Sequence, residues 1–444
     1  MNAPMRISIV NGRLVDPASG LDLAPGPTSS LHIADGRIAA IGDAPAGFVA
    51  DRRIDASGCV VAPGLLDLAA RLREPGYEYR ATLESEMQAA IAGGITGLAC
   101  PPDTDPTLDE PGLVEMLKYR ARGIDGTRLF PVGSLTVGLR GEVITEMAEL
   151  AEAGCVGFSQ ALAPVLDTQV LMRAMQYACT YGYTVWLHPQ DPHLARGGIA
   201  HAGPYASRLG LPGVPVIAET VALHTILELV RATGCRVHLC RLSSAAGLEL
   251  VRRARVEGLP VSCDVAVHHL HLIDVDIGFF DSNCRVDPPF RAQRDREAIR
   301  AALADGTIDA ICSDHTPVDD DAKQLPFGEA EPGVTGLELL LPLTLKWARE
   351  SGVPMAHALG KICAGAAAVL GAPEASGRLQ ADGAADVCIF DPKAPWTVSR
   401  ATLFSQGTHT PYVGRELEGR VRATIVGGRV AYEAAAGAAA QSQR

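Results

Sequence analysis

The feature that most constrains this chain is a rhythm. From about residue 58 to 350, short apolar runs alternate with amphipathic stretches of ten or more residues, the pattern of strands buried on both faces with helices packed over them. The apolar runs are CVVAPGLLDL (59–68), ITGLAC (95–100), RLFPVG (128–133), CVGFS (155–159), TVWLH (184–188), RVHLC (236–240), VSCDVA (262–267, or one earlier) and DAICS (309–313). Between them lie helical patterns such as LESEMQAAIAGG, VITEMAELAEAG, LHTILELVRATG and AAGLELVRRARVEG, several closed by a glycine suited to a helix C-terminal cap. Eight such units over about 250 residues predict an α/β fold of the (β/α)8 TIM-like barrel type rather than an open sheet.

The flanks have a different period. Residues 5–57 contain ISIVNGRLVD, SSLHIADGRIAAIGD and DRRIDASG, short alternating strands joined by Asn-Gly and Asp-Gly turns. A matching set returns in ADVCIFDP and VRATIVGGRVAYE, near 385–433. These predict one small β-sandwich built from both termini, residues 1–57 with 380–435, into which a barrel of residues 58–379 is inserted. Residues 436–444, in the low-complexity end AAAGAAAQSQR, are expected to be disordered.

Composition narrows the function classes. Apolar residues at 47% and charged residues at 20% support a large core. A net charge of -12 offers no footprint for nucleic acid, and no basic run suits an anionic membrane surface. No apolar stretch approaches the roughly 18 residues of a membrane span, and MNAPMRISIVNGRLVD lacks the basic start and apolar core of a secretory signal, so a cytoplasmic location is expected. The 11 cysteines are scattered singly, many inside strand runs and without a C-x-x-C pair, as suits small buried hydrophobes.

In a barrel of this type, reactive groups sit just past the strand ends. Here those places hold Ala69, Arg71 and Arg73 after the first strand, Asp103 after the second and Gln160 after the fourth. His188 follows the fifth, Arg241 the sixth, His268 and His269 the seventh, and Asp314 with His315 the eighth. A hydrolytic metal centre needs three or more neutral or anionic ligands and an open position for water. His188 and Asp314 qualify, and His268 or His269 could join them. Arg71 and Arg241, however, put fixed positive charge on the same rim, and a guanidinium cannot ligate a cation.

From PGLLDL through SDHTP to the returning strands, the chain resembles the dihydroorotase family of the amidohydrolase superfamily. That family's first strand ends in D-x-H-x-H-L-R-E-P-G, with two zinc-binding histidines and an arginine that grips the substrate carboxylate. DLAARLREPG matches it at Asp67 and at Leu72 to Gly76, including Arg73, but carries Ala69 and Arg71 in place of the histidines. The M-P-N-T-N-P segment resembles PPDTDP, which puts Asp103 at the substrate-binding asparagine. The bridging acid of G-F-S-D-D-G becomes Gln160 in GFSQAL. The histidine of H-A-E-D is kept as His188, that of H-V-C-H-V-S becomes Arg241, and the catalytic aspartate of D-H-A-P is kept as Asp314. The matches LGLPGVP, AETVAL, VHHLHL, DPPFR and GVTGLELLLPL hold the register across the barrel.

The resemblance implies an amidohydrolase-type barrel whose metal site is retired, with His188 and Asp314 as vestigial ligands and Asp314 as a vestigial general base. The family includes zinc-site-deficient chains that assemble with aspartate transcarbamoylase, and this sequence is similar to them. A non-catalytic structural subunit of a cytoplasmic pyrimidine-biosynthesis complex is therefore expected, partnered by the transcarbamoylase catalytic chain in a homo-oligomer or hetero-complex and requiring no cofactor. The alternative is an active cyclic-amide hydrolase with a reduced zinc site of His188, Asp314 and one histidine from 268–271. A third reading makes the arginines a regulatory anion site. Locally, Arg73 can grip a substrate carboxylate or pair with Asp67 or Glu74. His188 can be a ligand or be satisfied by Asp314. Arg71 and Arg241 can each pair with Asp314 or Asp103, and the acidic run 319–321 reads as a solvated loop.

Overall fold

A computed structural model describes residues 5–124 and 126–435. Eight parallel strands form the barrel: β1 (Leu65–Asp67), β2 (Ile95–Cys100), β3 (Arg128–Pro131, continued by Gly133–Ser134), β4 (Phe158–Ser159), β5 (Thr184–Leu187), β6 (Arg236–Leu239), β7 (Val261–Ala266) and β8 (Ala310–Cys312). Every residue of β2 is buried, because helices cover one face and the barrel interior the other. Closure comes just past β1 and β8, where Ala70 bridges His315: Arg71 N–H donates to the His315 carbonyl at 2.9 Å and His315 N–H to the Ala69 carbonyl at 3.0 Å. The helices begin and end on local signals. Thr82 caps Leu83–Ala92 by accepting from Ser85 N–H, and Gly182 and Gly234 end their helices in left-handed conformation.

Both termini build the second layer. One sheet joins Ile7–Val10, Leu31–Ala34, Arg37–Ile41 and Arg52–Asp55; the other joins Arg13–Asp16, Leu21–Leu23, Val60–Pro63, Val387–Thr397, Glu416–Val426 and Arg429–Glu433. Ile7, Ile9, Ile33, Val61, Ile389 and Ile425 fill the space between them as a core separate from the barrel's. The apolar run 59–68 is thus two strands, not one. Val60–Pro63 pairs antiparallel with Val387–Phe390 and parallel with Arg13–Leu14, and only after Gly64 does the chain enter β1. The barrel strand therefore starts near 65 rather than at 58 or 59. Gly64 allows the crossing: a Cβ there would stand 2.1 Å from Thr96 Oγ1. The tail 436–444 lies outside the described residues. Among those described, no helix is long and apolar enough to cross a membrane, and the 11 cysteines are all free.

Candidate functional site at the barrel mouth

Asp67, at the end of β1, is fully buried and spends its carboxylate on structure, accepting from Ser313 N–H at 2.8 Å and from the Ser313 hydroxyl. It fastens β1 to β8 and does not pair with Arg73. Past it, Ala69 packs its methyl among Leu66, Val132, Trp186 and Cys312. Arg71 turns inward and is buried. Its Nε donates to Asp103 Oδ2 at 2.7 Å, and its Nη1 donates to Thr316 Oγ1 at 3.0 Å and lies 3.8 Å from Asp314 Oδ1. Arg241, past β6, takes φ +54° and donates its backbone N–H to Asp264 Oδ1 at 2.6 Å; its Nη1 donates to Asp314 Oδ1 at 3.1 Å. Asp314 itself sits at φ +50°. Left-handed backbone at two non-glycine strand exits persists only where surrounding bonds hold it.

These contacts form one chain: Asp103, Arg71, Asp314, Arg241. Burial pushes the Asp103 carboxyl up, but the Arg71 guanidinium more than offsets it and holds the group below the usual carboxylate range. Burial acts against charge on Arg241 too, and Asp314 overcomes it, so Arg241 stays protonated more firmly than a free arginine. Burial drives the Asp314 carboxyl upward and outweighs the pull of the two guanidiniums at 3.1 and 3.8 Å, so the group stands above the usual carboxylate range.

The remaining predicted residues scatter. Arg73 (φ +61°) donates Nε to the Pro317 carbonyl at 2.9 Å, and it pairs with neither Asp67 nor Glu74, whose carboxylate takes Leu83 N–H and Arg120 instead. Burial, with Arg71 nearby, lowers the Arg73 guanidinium to about 10. Gln160 accepts from Thr136 Oγ1 at 3.0 Å. His188 is not satisfied by Asp314: its Nδ1 meets the Cys240 carbonyl at 3.3 Å, and burial, then Arg241, lowers it to about 4. The carbonyl requires Nδ1 to donate, which leaves Nε2 an acceptor. His268 packs on Tyr412, His269 on Phe290, and His271 bonds the Leu343 carbonyl at 2.9 Å. The acidic run is not simply solvated: Asp319 caps Asp320–Lys323, and Asp320 pairs with Arg400 at 2.6 Å and His409 at 2.7 Å.

Sequence reasoning missed Asp264. It lies inside β7, accepts from His238 Nε2 at 2.9 Å, and positions Arg241 through the backbone bond given above. An acid in the apolar run VSCDVA is the signal that could have found it. Ligand atoms of His238, Cys240 and Asp264 lie within 4.8 Å of one another. The imidazole and carboxylate are already bonded together, however, and burial pushes the Cys240 thiol far up.

The donor set does not fit a zinc centre of the amidohydrolase kind. A methyl, two guanidiniums and a carboxamide stand at Ala69, Arg71, Arg241 and Gln160. Of the carboxylates facing them, Asp314 is engaged by Arg241 and Asp103 by Arg71.

Comparison with known proteins agrees with this architecture. Residues 58–246 match a family model described as dihydro-orotase-like, and residues 205–432 match the amidohydrolase family. The chain is 45% identical over 428 residues to a dihydroorotase-like protein of Pseudomonas putida, covering 96% of this chain and 99% of that protein. It is 37% identical to a dihydroorotase of Pelobacter propionicus, covering 96% and 100%. Among solved structures, the L-hydantoinase of Arthrobacter aurescens superposes with a TM-score of 0.85 at 25% identity, over 97% of this chain and 96% of that one.

Proposed function

We propose a function from one premise: the chain belongs to the dihydroorotase-like family of the amidohydrolase superfamily. Our reading is a catalytically retired dihydroorotase homologue that serves, in the cytoplasm, as a structural subunit for the aspartate transcarbamoylase catalytic chain in pyrimidine biosynthesis. One observation carries the retirement: Arg71 and Arg241 converge on Asp314, so cations stand where the fold's hydrolases need ligands. A general base at Asp314 would have to present an oxygen to the incoming proton while Arg241 Nη1 holds its Oδ1 at 3.1 Å and Arg71 Nη1 stands 3.8 Å from the same oxygen. Asp103 sets a second carboxylate opposite the acid of a dihydroorotate-like substrate. The closure and the separate sandwich core support a scaffold role, because they rest on backbone pairing and apolar packing rather than on residues at the strand exits' metal-ligand positions. The active alternative, a reduced zinc site of His188, Asp314 and a histidine from 268–271, is not favoured by placement: among the described residues these ligand atoms do not converge as a group of three, and His271 is held by the Leu343 carbonyl.

Two assays on the purified full chain test the reading. No dihydroorotate turnover is expected with or without added zinc, and the chain should co-elute with the transcarbamoylase catalytic chain at a fixed ratio. Zinc-dependent turnover abolished by Asp314→Ala would overturn retirement. A chain that elutes alone and leaves the transcarbamoylase unchanged would overturn the scaffold role.

A further inference from the structure

The loop that follows β8, residues 316–334, carries two acceptors used at the barrel mouth. Thr316 Oγ1 takes a bond from Arg71 Nη1, and the Pro317 carbonyl takes one from Arg73 Nε. The base of the loop is closed by Thr316 N–H, which donates to the Val334 carbonyl at 2.8 Å. Its interior turns on one side chain. Lys323, the last residue of the short helix Asp320–Lys323, is 1% exposed. Its Nζ donates to the carbonyls of Gly333 at 2.7 Å, Glu331 at 2.9 Å and Arg285 at 3.2 Å. The first two lie on the returning limb of the same loop, and the third lies on the segment after β7. The Arg285 carbonyl also accepts from Gly333 N–H at 2.9 Å, so the two segments are joined twice at this point. Gly333 permits the close approach: at φ +145° a Cβ there would stand 2.5 Å from the Thr316 carbonyl oxygen.

We propose that Lys323 is a tethered cation: its ammonium fills a primary-ammonium site built from the carbonyls of Arg285, Glu331 and Gly333, and so pins the loop that positions Thr316 and Pro317 for Arg71 and Arg73. Hydrogen count supports the charged form. Three acceptors need three N–H groups, which lysine has only as an ammonium, since a neutral amine has two. None of the three acceptors is a carboxylate, so the cage selects its occupant through carbonyl dipoles and N–H geometry rather than by direct ion pairing. Burial, and then the Arg285 guanidinium, lower this ammonium to about 7, while Cys284, Asp281 and Glu331 act the other way. The three carbonyls are therefore the direct contacts that favour keeping the proton. The converse also holds. Without the ammonium, three inward carbonyls would be left buried together, each costing free energy until something donates to it. Truncation of Lys323 to alanine removes Cγ, Cδ, Cε and Nζ, so the group that should refill the site is propylammonium. This role is independent of whether the chain hydrolyses anything or has a partner.

The test uses the full chain at constant ionic strength, with tetramethylammonium chloride, a cation without N–H groups, as the balancing salt. Lys323→Ala should melt below the wild type, and propylammonium should restore most of the loss saturably, as a ligand of the folded state does. Uncharged n-propanol should not restore it, and the wild type should respond to neither. Amide exchange across 316–334 should be faster in Lys323→Ala on the order of tenfold, and should slow again with propylammonium. Lys323→Met keeps the bulk of the stem without a donor; it should also melt low, and propylammonium should not help it because the space is filled. If Lys323→Ala does not stay soluble alone, refolding in propylammonium should recover it, and failure to recover it counts against the proposal. Wild-type melting of Lys323→Met, equal rescue by n-propanol, or unchanged exchange across 316–334 in Lys323→Ala would overturn it.

Discussion

The pairing of Arg241 with Asp314 is the contact whose removal should tell most. The Arg241 side chain is 5% and the Asp314 side chain 8% exposed, so solvent screens the pair little. At 3.1 Å and an effective dielectric of about 20, their attraction is about 5 kcal/mol, while Arg71 at 3.8 Å still supplies about 4 kcal/mol. Arg241→Met removes the first and leaves the second, so the cost should fall at the low end of the range for a broken buried pair, about 3 kcal/mol. Asp314→Asn in the same chain removes the charge left behind and should recover all but about 1 kcal/mol, because an uncompensated charge, not a missing bond, dominates the loss. Urea midpoints of the wild type, both single variants and the double variant give the coupling directly. If Arg241→Met costs less than about 1 kcal/mol, as an exposed pair would, or if the double variant is no better than the single, the cation does not hold the site closed.

Acid should destabilise the chain through its imidazoles. Burial lowers His188 and His269 to about 4 and His268 and His271 to about 3, whereas unfolding returns each to about 6.5, so the unfolded state binds more protons in that interval. Melting temperature should therefore rise from pH 4 to about 6.5. Glu338, raised by burial to about 8, acts oppositely: its contribution is present below about 4.5 and is lost as pH rises to 8, and Glu338→Gln should flatten that upper limb without moving the lower one. Ser313→Ala deprives buried Asp67 of its hydroxyl donor and should cost about 2 kcal/mol in urea; an effect within about 0.5 kcal/mol would mean that the backbone bond alone closes the barrel. Gly64→Ala drives a methyl into Thr96 and should cost about 1–3 kcal/mol, relieved by Thr96→Gly.

The barrel was legible because its strands are buried on two sides and so appear as unbroken apolar runs; β2 is the plain case. The same property hid the break at Gly64, since a strand of the sandwich and a strand of the barrel, both fully buried, merge into one run in Val60 to Asp67. At the mouth, residue types alone placed arginines at two strand exits, Arg71 and Arg241. Which acid each arginine would take was not legible, because Arg241 is aimed by a left-handed backbone and by Asp264, neither of which leaves a periodic trace. His188 misled for a similar reason: its partner is a carbonyl, and carbonyls are the same at every position.

The way Val60–Pro63 bridges the two ends of the chain also sets an order of events during synthesis. Its sandwich partner, Val387–Thr397, leaves the ribosome about 330 residues later, roughly 17–67 s at about 5–20 residues per second. Throughout that interval the whole barrel is made while one side of an apolar strand has nothing to pair with. The nascent chain must carry an exposed edge for most of its production, so the step most open to misassembly in the cell is the late return of the C-terminal strands to a sheet begun by the first sixty residues.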